Sequence, residues 1–124
     1  MNLKYPVHVT AQFVAAGLVK HAKANVAAGT TDAALVAAVV GKKLAVTSFR
    51  LHCGGTSTTC QFNSKSDDPG VAISEVFACA ANGGRAEPYN PGGHFMTNTG
   101  EGLTFTTGAG STVGVGVTYI EVPT

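Results

Sequence analysis

Four histidines, three cysteines and one adjacent pair of carboxylates are the residues whose types could do chemistry in this chain. His8, His21, His52 and His94 fall at no metal-ligand spacing such as H-x3-H or H-E-x-x-H. His52 lies beside Cys53 and near Cys60, but two thiols and one imidazole leave a zinc ion without a fourth ligand. A Cys/His nucleophile pair finds no Asn or Asp to orient the imidazole. Asp67-Asp68 run into Pro69-Gly70, a turn signal, and read as a solvated loop rather than two acids converging across a cleft. Gly92-Gly93 and Gly108-x-Gly110 lack the following helix that a phosphate cradle needs. Phe49-Arg50 and Tyr89 are isolated, so no aromatic and basic platform for single-stranded nucleic acid is expected. Tryptophan is absent, which leaves Tyr5, Tyr89 and Tyr119 for stacking on a sugar. The expectation is a protein that is not an enzyme and needs no cofactor or metal.

The elements that must position these residues are strands. The chain is organised around Ala33 to Phe62, which reads as two or three strands joined by short turns. Leu44 and Val46 share one face, whereas Phe49, Leu51 and Cys53 fall on the other parity. Period-2 alternation marks a strand, and the parity switch predicts a bulge or burial on both faces. Gly54 to Ser57 is a turn signal, and Thr58, Cys60 and Phe62 share a face beyond it. A hairpin centred on Thr56-Ser57 places Cys60 opposite Cys53 and Phe62 opposite Leu51. A turn at Gly54-Gly55 keeps the faces and changes the partners. Oxidation would let Cys53 and Cys60 bridge that hairpin; reduced, they act as small apolar residues.

Asp32 before AALVAAVV suits a helix N-cap, but the run is short before Gly41 and reads as a strand. Lys20 to Ala28 reads as a strand. Ala11, Val14, Ala15, Leu18 and Ala22 recur at helical spacing, with Gly17 against it, so an extended segment is preferred there. Val71 to Cys79 alternates, with Glu75 an anomaly on the apolar face that marks an edge or a contact between subunits. Pro88 to His94 is an irregular loop. Leu103 and Phe105 alternate with threonines. Val113, Val115, Val117 and Tyr119 line one face of a last strand, with Gly114, Gly116 and Thr118 on the other. Glycines there invite close approach of a neighbouring backbone. The fold expected is all-β: one antiparallel sandwich of about eight strands, jelly-roll-like, with an extended N-terminal arm. Residues 1–29 form the arm and first strand, and residues 30–124 the sandwich.

The 124 residues suffice for one domain. Charged residues make up 12%, about half the usual share, so the surface is largely neutral. A net charge of +1 implies attraction to neither nucleic acid nor membrane. No run approaches the ~18 apolar residues of a spanning helix. Pro6, His8, Thr10 and Gln12 interrupt any signal-peptide core, so folding in a cytoplasm is expected. An odd number of cysteines argues against a secreted disulfide framework. Lys4, Lys20 and Lys23 are the only charged residues among the first thirty, which suits either a basic arm or a segment kept soluble by lysine.

Val36 to Lys42, Asn82 to Gly84, Pro88 to Gly93, Thr97 to Leu103 and Tyr119 to Val122 carry a likeness. Their order resembles small structural proteins of tailed bacteriophages, over about Thr31 to Pro123; Met1 to Gly29 is not covered. The resemblance implies a jelly-roll sandwich on the virion, a capsid decoration (cement) protein in trimers, with the major capsid protein as partner. It makes Lys4, Tyr5, His8, Lys20 and Lys23 candidates for an arm that contacts the capsid. It makes Gly114, Gly116 and Thr118 candidates for the face between subunits. The alternative is a receptor- or carbohydrate-binding module on a tail or vertex, using Tyr89, Asn90 and His94.

Overall fold

Strand-forming alternation dominates the chain from Lys20 onward, and a computed structural model describes residues 18–65 and 70–123. Ten strands occur among them: β1 (Lys20–Val26), β2 (Ala33–Val36), β3 (Lys42–Cys53), β4 (Thr58–Lys65), β5 (Val71–Ala72), β6 (Phe77–Cys79), β7 (Gly84–Glu87), β8 (Phe95–Met96), β9 (Gly102–Thr107) and β10 (Val113–Pro123). They form two antiparallel sheets. One runs β1-β10-β3-β7, with β8 also on β3; the other runs β2-β9-β4-β5, with β6 also on β4.

The pairing order has a simple logic. The first strand pairs with the last, β2 with β9, β3 with β7 and β8, and β4 with β5 and β6. The chain is therefore one long hairpin rolled over a core, which is jelly-roll connectivity. Ten strands occupy eight positions because Val71–Cys79 and Gly84–Met96 each break into two short pieces.

The core lies between the sheets. Leu44, Val46, Phe49, Leu51, Cys53, Val113, Val115 and Val117 meet Cys60, Phe62, Phe77, Cys79, Leu103 and Phe105 across it. Phe62 is central: its ring centroid lies 4.7 Å from Phe95, 4.9 Å from Phe105 and 5.3 Å from Phe49. The parity switch in β3 is a bulge. Thr118 faces Ser48 and Tyr119 faces Val46, so Thr47 is the extra residue, and its Oγ1 donates to Thr118 O at 3.2 Å. The bulge turns Leu44 and Val46 to the same side as Phe49 and Leu51. Ala45 and Thr47 are buried too, so both readings of the switch hold.

Two expectations are corrected. The β3–β4 link is not a hairpin: β3 and β4 lie in different sheets. Cys53 pairs with Val113 and Leu51 with Val115, while Cys60 pairs with Phe77 and Phe62 with Phe105. Gly54 crosses between sheets, its N–H on Thr112 O and its carbonyl accepting from Asn82. The inward faces are those expected, but they meet through the core rather than along a ladder. The strand expected over Ala33–Val40 stops at Val36, where its pairing with β9 ends at Leu103; Val40 is 96% exposed.

β1 is an integral edge strand, paired with β10 from Lys20 to Val26. The preference for extended chain holds for residues 20–24. Lys4, Tyr5 and His8, and the rest of the expected arm through residue 17, lie outside the described residues.

Candidate functional site

Side chains on β1, β10 and β3 that point away from the core form two rows across the sheet. Lys23, Gly116 and Arg50 are in register in one row; Asn25, Gly114 and His52 are in register in the next. Glycine is the middle member of both, so the rows leave a trough of about 460 Å³ floored by β10 and walled by β1 and β3. Gly116 is buried although it faces outward. A Cβ built on it would come within 2.5 Å of Arg50 Cζ, so the guanidinium lies directly over the glycine backbone. Within the chain, the close neighbour of Gly116 is therefore a side chain, the Arg50 guanidinium. The adjacent row pairs His21 with Thr118, whose Oγ1 is hydrogen-bonded to His21 Nδ1 at 3.1 Å.

The trough is electrostatically one-sided. Lys23 and Arg50 make no ion pair among the described residues, and no Asp or Glu lines the trough. By contrast Lys20 Nζ lies 2.8 Å from Glu121 Oε2, and Lys42 approaches the other oxygen at 3.9 Å. The hydrogen bond from Lys20 holds the Glu121 carboxyl below the usual range, and the same bond raises Lys20. Lys20 is therefore tied to its own sandwich, and Lys23 projects from a paired strand.

The Pro88–His94 loop is pinned onto the bulge. Asn90 N–H donates to Thr47 O at 2.8 Å and His94 N–H to Val46 O at 2.7 Å. Asn90 Oδ1 accepts from Gly92 N–H at 3.0 Å. His94 Nε2 lies 2.8 Å from Pro88 O; a carbonyl only accepts, so Nε2 carries the proton. Asn90 and His94 thus shape the loop; Tyr89, 51% exposed, and Asn90 both face solvent, and Tyr89 is the aromatic among them.

Beside this loop lies a smaller pocket of about 190 Å³, lined by Glu75, Arg85, Glu87 and His94 over Phe49, Phe77 and Phe95. Arg85 Nε donates to Glu87 Oε1 at 2.7 Å, and Arg85 Cζ sits 5.0 Å above the Phe77 ring. Glu75 was expected at an edge or a contact, and it lines this pocket between the sheets. The Arg85–Glu87 pair went unread in the sequence; their i, i+2 spacing on a strand was the available signal.

Cys53, Cys60 and Cys79 are buried free thiols. The sequence pattern paired Cys53 with Cys60 alone, but Cys79 joins them in the core, and Cys53 Sγ lies 3.7 Å from Cys79 O. Burial pushes the Cys60 thiol up to about 12, with Cys79 and then Cys53 adding to the effect. Burial also raises Cys79. Cys60 and Cys79 are therefore thiols of the neutral form, poor nucleophiles at neutral pH. No group of His, Cys, Asp or Glu among the described residues is placed to hold a metal ion.

No protein-family model matches the chain, and no curated protein matches it.

Proposed function

We propose that the chain is a virion structural protein, a capsid decoration protein that binds the outer capsid surface and stabilises contacts between capsid subunits. The observation that carries this reading is the rolled-hairpin connectivity, an architecture that recurs in viral capsid domains. The motifs behind the resemblance to phage proteins each have a place in that connectivity. Val36 to Lys42 is the corner from β2 to β3, and Asn82 to Gly84 the turn into β7, with Asn82 at φ 56°. Pro88 to Gly93 is the loop pinned on the bulge, and Tyr119 to Val122 carries the Glu121 clamp on Lys20 and Lys42. The protein is not an enzyme; its work is to hold neighbours together. Assembly as a trimer would multiply weak contacts into firm capsid binding. The Lys4, Tyr5 and His8 segment would reach the major capsid protein.

Quantitative mass spectrometry of gradient-purified particles tests this. A copy number near that of the most abundant protein is expected. A small minority would move the chain to the tail or vertex and favour the binding module presenting Tyr89. Absence from particles would overturn the reading. Truncation to test the arm must stop at residue 17, because β1 from Lys20 onward is part of the sandwich.

A further inference from the structure

We infer that the trough on the outer face of β1, β10 and β3 is a docking site for an acidic, extended segment of a partner protein, with a carboxylate held between Lys23 and Arg50. Charge complementarity is the first support. The trough carries two cations without ion-pair partners among the described residues, and its lining contains no acid. Elsewhere among the described residues Lys20, Lys42, Lys65 and Arg85 each face a carboxylate, and Lys43 does not; only the trough brings two such cations together.

Geometry is the second support. Lys23 and Arg50 stand on either side of β10, two strand spacings or about 9.6 Å apart at the backbone. With the guanidinium lying over Gly116, a carboxylate set at its edge on the β1 side meets the guanidinium fork on one side and the Lys23 ammonium on the other. The fork is the group suited to grip a carboxylate with two parallel hydrogen bonds. Its resting place over Gly116 limits the freedom lost on binding. The next row offers the Asn25 amide and the His52 imidazole, about 6.8 Å along the strands, the spacing of alternate side chains in an extended peptide. A segment with acids at alternate positions would address both rows.

Nucleic acid fits less well. No Phe, Tyr or Trp lines the trough to stack a base, and two cations supply little of the phosphate neutralisation that polymer binding uses.

The test is fluorescence anisotropy of a labelled hexaglutamate peptide with the full chain at low ionic strength, beside an oligothymidylate of equal length. Saturable peptide binding is expected, weakened about tenfold or more by Arg50→Ala. Gly116→Ala keeps every charge but displaces the guanidinium, and it should weaken binding comparably while the circular dichroism spectrum is unchanged. Lys43→Ala, a cation outside the trough, should leave binding as it was. Absence of saturable binding, or binding indifferent to both Arg50→Ala and Gly116→Ala, would overturn the site. Tighter binding of oligothymidylate through the same residues would overturn the carboxylate ligand in favour of phosphate. Peptide binding by the isolated chain would stand even if the chain were absent from particles, so the two readings fail separately.

Discussion

Asp32 Oδ1 accepts a 3.0 Å hydrogen bond from Thr104 Oγ1, and this contact ties the start of β2 to the middle of β9. The other oxygen accepts from Gly70 N–H at 2.9 Å, with Lys65 Nζ at 3.9 Å. Asp32 N–H donates to Thr106 Oγ1 at 3.1 Å, and the side chain is 2% exposed. The residue also sits at φ 53°, a left-handed conformation that Asp and Asn tolerate better than most. One side chain therefore holds β2, β9 and the approach to β5.

Asp32→Ala should cost about 3 kcal/mol, from partners left unsatisfied and from alanine in the left-handed region. Asp32→Asn keeps the backbone preference and one acceptor oxygen, and should cost about half as much. Urea denaturation of the two variants checks the order; equal losses would show that backbone conformation plays little part.

The thiol cluster predicts an alkaline weakness. Cys60 is raised from 9.0 to about 12 in the folded chain. Between those values the unfolded chain releases a proton that the folded chain keeps, so the unfolded state binds fewer protons and stability falls as pH rises. The stabilisation is intact below pH 9 and declines toward pH 12, by up to about 1.4 kcal/mol per pH unit. Denaturation midpoints at pH 8 and pH 10 should differ in wild type, and the difference should shrink in Cys60→Ala. At neutral pH a thiol reagent should label Cys53, Cys60 and Cys79 slowly in the native protein and rapidly in denaturant.

Two glycines, Gly110 before β10 and Gly116 within it, should respond differently to the same change. A Cβ on Gly110 would collide with the Ser57 carbonyl oxygen and lie 2.8 Å from Thr58 Cβ, so the clash is with backbone and Cβ rather than with the end of a flexible side chain. Gly110→Ala should therefore cost about 2 kcal/mol, within the usual range for overpacking. Gly116→Ala meets only the far end of Arg50, which can swing into solvent, and should leave stability within about 0.5 kcal/mol. Thermal or urea melts of the pair measure both; a large loss in Gly116→Ala would mean that Arg50 is held in place rather than resting there.

Much of the architecture was legible from side-chain alternation. Val113, Val115 and Val117, Leu103 and Phe105, and Cys60 and Phe62 all face inward as their spacing implies. The bulge at Thr47 was visible as a change of parity. The trough was only half visible: Gly114 and Gly116 stood out, but their neighbours Lys23, Asn25, Arg50 and His52 come from strands far apart in the chain. Asp32 looked like a helix cap because its contacts with Thr104 and Gly70 are equally remote.

The sequence by itself determined which residues turn inward, where the chain reverses and that the elements are strands. Those are properties of neighbouring residues, set by the two-residue period of an extended backbone and by turn chemistry. Only the tertiary structure decided that β3 and β4 part at Gly54 into separate sheets, that Arg50 lies over Gly116 and that three thiols meet in the core. A turn signal specifies a reversal but not whether the returning strand pairs or crosses the core. That choice depends on which long-range ladders complete both sheets, and here β10 claims the edge of β3 while β9 claims that of β4.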